Sequence, residues 1–289
     1  MNIKSILMCP ECHCGLSDTL ECVNCHQVYD YKNGVFDIVS QSLSSNQEIL
    51  WKISDEMIDG DNAPDLFNNP DLSNNNEEPD WVKDYFSCKN KETLEAEQKL
   101  YNFSVQLIEA FSGTVCDLAT GMGGMLQRLM DSKNKNFDIV CTDIDKKVLM
   151  WTRKIKQTDN RVNYIATDGR YMSVKDNSFD YVTSFAAFGN IPEGDKVAKE
   201  LYRVLKPGGK VVIVGNYIEK ESKSFELAKS RNLERGLVED YLISDLEFAG
   251  FKNINSTVVD KAIWAENPYD LLPVAGDMYH YCVIQAVKI

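Results

Sequence analysis

The chain has 289 residues, 44% of them hydrophobic and 26% charged, with a formal net charge of −13. That is enough apolar material for one substantial core and a small accessory unit, and such an acidic balance excludes a general phosphate-backbone binder. No apolar run approaches the roughly 20 residues of a spanning helix. The apolar segment after Lys4 ends at Met8, too short for a signal peptide, so the expected setting is cytoplasmic, with no membrane association.

The charge is unevenly spread. Residues 1–40 hold 2 basic and 5 acidic side chains, and residues 41–112 hold 5 lysines, no arginine and 15 acids. From 113 onward the count is 24 against 24. The acidity therefore belongs to a connecting segment. The expected organisation is a unit at 1–40, an acidic connection at 41–90 and an α/β domain at 91–289.

The first unit carries Cys9-Pro10-Glu11-Cys12 and Cys22-Val23-Asn24-Cys25, and five of the nine cysteines lie within the first 25 residues. Two thiolate pairs at this spacing suit a tetrahedral zinc ion bound by Cys9, Cys12, Cys22 and Cys25. His26, four residues after Cys22, is an alternative fourth ligand, and His13 and Cys14 lie close by. A redox dithiol is the other role for Cys-x-x-Cys. Asn33-Gly34 signals a hairpin turn before the strand-like Val35-Phe36-Asp37-Ile38-Val39. So small a unit would hardly fold without its metal.

These knuckles, with Tyr29 and Asn33-Gly34-Val35, resemble the zinc-ribbon family that includes the small activator subunit of several RNA and protein methyltransferases. They are also similar to the N-terminal ribbon of bacterial large-subunit ribosomal RNA guanine methyltransferases, whose fourth ligand is a histidine. The resemblance covers about 40 residues.

In 41–90, Ile49 to Ile58 suits a short helix, and Asp59 to Asp80 reads as an irregular connection. From Lys91 to Phe111, Leu94, Leu100, Phe103, Leu107, Ile108 and Phe111 follow a helical pattern. Trp81, Tyr85, Phe86, Tyr101 and Phe103 are candidates either for a lid over a ligand or for packing of this helix on a sheet.

Val115-Cys116-Asp117-Leu118-Ala119-Thr120-Gly121-Met122-Gly123-Gly124 organises the rest. An apolar strand ends in an acid, breaks into glycines and resumes as the helical pattern Met125, Leu126, Leu129, Met130. Glycines allow a sharp turn and close approach of a ligand. Asp143 follows Gly123 by 20 residues, at the end of the apolar run Ile139 to Thr142. An acid at that spacing suits ribose hydroxyls. A basic helix at 146–156, a strand at 162–166, Asp168-Gly169, the apolar run to Phe185, a helix at 194–205 stopped by Lys206-Pro207-Gly208-Gly209, a strand at 211–214, a helix at 239–249 and strands near 254–260 and 280–288 complete an alternation that predicts a parallel α/β sheet.

At this point residues 113–289 resemble a class I S-adenosylmethionine-dependent methyltransferase of the type 11-like kind. Four blocks occur in order: Asp117 to Gly123, with Ala119 where the first glycine usually stands; Thr142-Asp143-Ile144-Asp145; Thr167-Asp168-Gly169 with Asp176 to Asp180; and Leu201 to Gly209. The resemblance implies a Rossmann-like sheet of seven strands, the last inserted antiparallel, with helices on both faces. It implies S-adenosylmethionine as cofactor, contacted by Asp117, Ala119, Thr120, Gly121, Gly123, Asp143, Ile144, Asp168, Gly169 and Phe185.

The residues after the fourth strand of that sheet, Phe185 to Asn190, contain no Asn-Pro-Pro-Tyr, which argues against adenine or glutamine amide methylation. No residue stands out as catalytic. His280 is a candidate base or a structural histidine, and Tyr217, Trp264 and Tyr279 are candidates for an acceptor pocket. The favoured activity is methylation of a small molecule. The second is methylation of RNA, suggested by the ribbon and by Lys146, Lys147, Arg153, Lys154, Lys156 and Arg161. The third is a non-catalytic cofactor-binding partner subunit. The pattern carries no sign of oligomeric state.

Overall fold

The structure, a computed structural model, describes residues 2–40, 84, 87–156, 160–268 and 270–289. The helix expected near 49–58, the connection at 59–80 and the aromatics Trp81, Tyr85 and Phe86 lie outside the described residues.

The strands are β1 (Asp30–Lys32), β2 (Val35–Asp37), β3 (Gly113–Asp117), β4 (Phe137–Asp143), β5 (Val162–Ala166), β6 (Phe179–Phe185), β7 (Leu205–Ile218), β8 (Lys252–Ile263) and β9 (Met278–Val287). They form one sheet in the order β1-β2-β5-β4-β3-β6-β7-β9-β8. From β5 to β7 neighbours run parallel, and β9 inserts antiparallel between β7 and β8. Seven of the nine strands, β3 to β9, make the α/β sheet with the antiparallel last strand that the resemblance implies.

The helices are α1 (Lys91–Ile108), α2 (Gly124–Asp131), α3 (Lys146–Lys156), α4 (Gly194–Val204), α5 (Lys223–Ser230), α6 (Glu234–Leu237) and α7 (Glu239–Ala249). Asn90 starts α1 by accepting from the Thr93 N–H, as an N-cap should. Helices α1, α2 and α3 bury Leu100, Leu126 and Leu149 against one sheet face, among Val115, Ile139 and Val283. Helices α4 and α7 bury Leu201 and Leu246 against the other, among Val182, Ile213 and Ile284. Helices α5 and α6 follow β7 in a stretch where the sequence pattern named no element.

The β1–β2 hairpin does more than close the first 40 residues. β2 pairs parallel with β5, with Val35 opposite Tyr164 and Phe36 opposite Ile165, and the Ile38 N–H donates to the Ala166 carbonyl at 3.0 Å. The connection from β5 to β6 carries no helix. Ile3, Leu7, Leu20 and Phe36 instead pack with its Met172 and Val174, filling one layer as a helix would.

Candidate active site

β3 ends at Asp117, and the chain then turns through three left-handed residues: Ala119 at φ +50°, Gly121 at +52° and Gly123 at +83°. An alanine holds such backbone at about 1–2 kcal/mol. A Cβ built on Gly123 would lie 2.9 Å from Thr152 Cγ2, so helix α3 packs on this turn. At Gly121 the nearest atom to such a Cβ is the Ala119 carbonyl oxygen, 3.9 Å away, so this face of the turn is an open cradle. Thr120 ties the turn down: its N–H donates to the Thr142 carbonyl at 2.7 Å and its hydroxyl to the Asp117 carbonyl at 3.1 Å.

The acids meet this turn. Asp117 is fully buried, and neither carboxylate oxygen has a hydrogen-bond partner among the described residues. Burial, with Asp143 nearby, pushes its carboxyl up to about 8. Asp143 accepts from the Gly121 N–H at 3.0 Å and the Asp145 N–H at 3.1 Å, which ties the end of β4, and Ile144 after it, to the glycine turn. Burial raises the Asp143 carboxyl to about 6. Asp168, beyond the end of β5, accepts from Arg170 three times: from its N–H at 2.8 Å, Nε at 3.0 Å and a terminal nitrogen at 2.7 Å. A carboxylate accepts about four hydrogen bonds, so one place remains beside Gly169.

Two residues flank the turn, and the sequence reading passed over one of them, Arg128. Arg128, on the buried face of α2, donates to Ser104 Oγ at 3.0 Å and to the Gly124 carbonyl at 2.6 Å. Its guanidinium lies 3.9 Å from the Phe185 ring centre and 4.9 Å from that of Tyr101. Burial lowers it to about 10, so it stays cationic at neutral pH. An arginine on the apolar stripe of a helix, four residues after Gly124, was the available signal. Tyr101 also donates to Asp131, so it packs α1 onto α2, as does the cation between the two rings.

All the predicted cofactor residues therefore lie along the carboxyl edge of β5, β4, β3 and β6. The chain leaves β3 for β4 and β5, then returns to β6 on the other side. Such a switch point is where open α/β sheets bind ligands.

The sulfurs of Cys9, Cys12, Cys22 and Cys25 lie within 4.8 Å of one another. Cys9 and Cys25 are 3.6 Å apart, and Cys12 and Cys22 are 3.3 Å apart. A tetrahedral zinc–sulfur site at about 2.3 Å has sulfur–sulfur edges of about 3.8 Å, so the four thiols fit that geometry. The two knuckles repeat each other. His13 and His26, each four residues after the first cysteine of its pair, take φ +58° and +59° and donate N–H groups to the carbonyls of Cys9 and Cys22 at 2.9 and 3.1 Å. The His26 ring points to Glu21 at 3.0 Å. His26 is thus a knuckle-closing residue in a left-handed turn that histidine tolerates.

The acceptor candidates separate. Trp264 and Tyr279 stand together, ring centres 5.6 Å apart, on the face covered by α1. Tyr217 lies on the opposite face near Cys282. His280 alternates with Tyr279 and Tyr281 along β9, so it too faces away from the α1 side, and it contacts Glu219 at 3.2 Å.

Residues 116–213 match a family described as methyltransferase domain. Phosphoethanolamine N-methyltransferase 2 of Caenorhabditis elegans is 30% identical over 118 residues, covering 39% of this chain and 27% of that protein. The ubiquinone/menaquinone biosynthesis C-methyltransferase UbiE of Wigglesworthia glossinidia brevipalpis is 36% identical over 103 residues, covering 35% of this chain and 41% of that protein. The matched stretch thus spans less than half the length of either relative. The fold is similar to that of Haemonchus contortus phosphoethanolamine N-methyltransferase 2, solved with phosphomonomethylethanolamine and S-adenosylhomocysteine: the TM-score is 0.50 and the identity 21%, over 65% of this chain and 52% of that one. Residues 116–213 thus match the methyltransferase-domain family, and the α/β sheet has the fold of that solved neighbour.

Proposed function

We propose that the chain binds S-adenosylmethionine along the carboxyl edge of β5, β4 and β3 and transfers its methyl group to a small molecule. The observation that carries this is the meeting of an open glycine cradle at Gly121 with two acids, the buried Asp117 and the half-buried Asp143. Asp143 accepts from the ribose hydroxyls. Asp168 and the Gly169 N–H meet the adenine edge. Gly121, Gly123 and Thr120 carry the chain under the methionyl part, with Ala119 and Ile144 as walls and Phe185 at its far end. Asp117, buried beneath the turn, holds its proton at neutral pH and forms an uncharged floor there.

When bound, the cofactor supplies an electrophilic methyl group on a sulfonium. The protein's part is alignment of donor and acceptor and exclusion of water. The Arg128–Phe185 stack closes the end of the cradle. The ribbon holds a structural zinc on Cys9, Cys12, Cys22 and Cys25, with four sulfur ligands and no position for a reactive water.

Two of the six charges in the basic run that suggested RNA, Lys146 and Lys156, are withdrawn from a phosphate backbone, while Arg153 stays exposed. Lys146 pairs with Asp37 at 2.6 Å, Arg153 donates to the Asn33 carbonyl at 3.3 Å and Lys156 is buried. This supports a small-molecule acceptor.

The test is calorimetric titration of S-adenosylhomocysteine into wild type and Asp143→Ala, followed by transfer of labelled methyl into a size-separated cell extract with and without ribonuclease. Binding that Asp143→Ala weakens, with label in the small-molecule fraction, is expected. Unchanged affinity in the variant would sink the ribose assignment. Label in a large, ribonuclease-sensitive fraction would replace the small-molecule reading with RNA.

A further inference from the structure

The candidate cofactor residues stand in order along one edge: Asp168 after β5, Asp143 at the end of β4, the glycine turn after β3. Neighbouring strands lie about 4.8 Å apart, so the methyl end falls near β6, and the acceptor must come from the next strands, β7 and β9.

On the face covered by α1, those strands carry a row of polar and aromatic side chains. Phe185 ends β6, opposite Val214. Asn216 stands directly opposite Tyr281 between β7 and β9, and residues so placed share one face with Cβ atoms about 5 Å apart. Tyr279 continues the row, its ring centre 6.2 Å from that of Tyr281, and Trp264 packs against Tyr279. Thr93 of α1 lies over the Tyr281 hydroxyl, near it but outside hydrogen-bonding geometry.

Four atoms in this row are buried and have no hydrogen-bond partner among the described residues: Thr93 Oγ1, Asn216 Oδ1, Tyr281 OH and Trp264 Nε1. Thr93 and Tyr281 are at most 1% exposed and Trp264 is 6% exposed. Folded proteins pair nearly all such atoms, and a cluster of four is a hydrogen-bonding surface with capacity for another molecule. None of the four side chains is charged. Of the neighbouring ions, Lys89 pairs with Glu97 and Lys99 with Asp260, both at 2.7 Å, whereas Arg128, held by Ser104 and the Gly124 carbonyl, stays a cation beside Phe185 at one end of the row. Along the rest of the row, away from Arg128, an ionic group would be desolvated without a countercharge. A flat ring bearing hydroxyl or carbonyl groups would lie between the aromatic walls and meet the unpaired atoms.

Resting on the methyltransferase reading, we propose that Thr93, Phe185, Asn216, Trp264, Tyr279 and Tyr281 form the acceptor site, and that the acceptor is an uncharged, hydroxyl- or carbonyl-bearing ring. The first turn of α1 roofs the row, latched by Asn90 Nδ2 to the Ile263 carbonyl at 2.7 Å, and it lifts to admit the acceptor.

The test uses the protein saturated with S-adenosylhomocysteine and two probes, catechol and phosphoethanolamine, each titrated with saturation-transfer NMR as the readout. Catechol binds and phosphoethanolamine does not. Tyr281→Phe and Asn216→Leu each weaken catechol by about tenfold, the value of one hydrogen bond, while the affinity for S-adenosylhomocysteine stays within about twofold and the melting temperature does not fall, because each change removes a buried unpaired atom. No catechol binding, binding of phosphoethanolamine in its place, or catechol binding indifferent to both variants overturns the proposal. A wild-type protein that does not bind S-adenosylhomocysteine at all removes the methyltransferase reading, and this proposal with it.

Discussion

The Ser173 hydroxyl donates to the Ile38 carbonyl at 2.5 Å, joining the ribbon strand to the loop after β5. The same loop returns bonds to the ribbon. The Met8 N–H donates to the Ser173 carbonyl at 3.0 Å and the Lys175 N–H to the Ile6 carbonyl at 2.8 Å. Ser173 N–H in turn donates to Thr167 Oγ1 at 2.8 Å, one residue before Asp168. The cysteine unit therefore braces the loop assigned to the adenine.

Ser173→Ala leaves a buried carbonyl without its donor and should cost about 1–3 kcal/mol. The melting temperature should fall, and the affinity for S-adenosylhomocysteine should fall severalfold as the Asp168 loop loosens. Thermal unfolding and calorimetry on the same preparations check both. A stability loss with unchanged affinity would show that the brace does not reach the adenine side.

Metal removal should act further away than the cysteines. Cys12→Ser, or chelation of the wild type, should take the protein from one zinc per chain to none by elemental analysis. β2 shields β5, whose other neighbour is β4. Loss of the hairpin would bare that edge, with Tyr164 and Ile165 now uncovered. Light scattering should then rise at concentrations where the zinc-loaded protein stays monodisperse. A variant that keeps one zinc per chain would refute the four-cysteine site.

Ala119 holds a left-handed backbone that glycine adopts without strain. Ala119→Gly removes that strain and adds some unfolded-state entropy. The net gain should be about 0.5–1 kcal/mol, read as a higher midpoint in denaturant with an unchanged slope. A loss of stability would mean that the methyl group contributes packing the backbone angle does not reveal.

Asp117 makes stability pH-dependent. Its carboxyl is raised from 3.8 to about 8 by burial, so the folded state holds a proton that the unfolded chain releases. Over that window the folded state binds more protons, and stability from this group is full below about 3.8 and is lost as pH rises toward about 8. Asp117→Asn mimics the protonated acid at every pH. Its advantage over wild type should therefore be absent near pH 4, grow with pH and level off above about pH 8. Unfolding measured across that range tests the sign, and an advantage that shrinks with rising pH would contradict it.

The α/β alternation was legible because apolar periodicity changes sharply between strands and helices. The run Val115 to Asp117 ends where β3 ends, and the helices at 146–156 and 239–249 have the bounds the pattern implies. The glycine turn and Asp143 were legible from spacing alone, since backbone that must be left-handed favours small residues. Helices α5 and α6 were not: α6 has four residues, too few for periodicity to show, and α5 buries only Ser224 and Ala228, which leave no apolar stripe. Tyr217 looked equivalent to Trp264 and Tyr279 as an aromatic near a strand. Its side of the sheet depends on strand phase, and a strand's sequence does not say which layer each phase meets.

The sequence by itself determined the local chemistry: two thiol pairs at metal spacing, a glycine turn after a strand, and an acid at the end of the next. These depend on residues close in the chain, where geometry follows from spacing. Only the tertiary structure decided that the β1–β2 hairpin joins the main sheet through β5, that Ser173 reaches Ile38 and that Asn216 meets Tyr281 beneath Thr93. Those contacts join residues 65 to 188 positions apart. Which distant strands become neighbours is settled by burial of whole faces, and no local pattern encodes it.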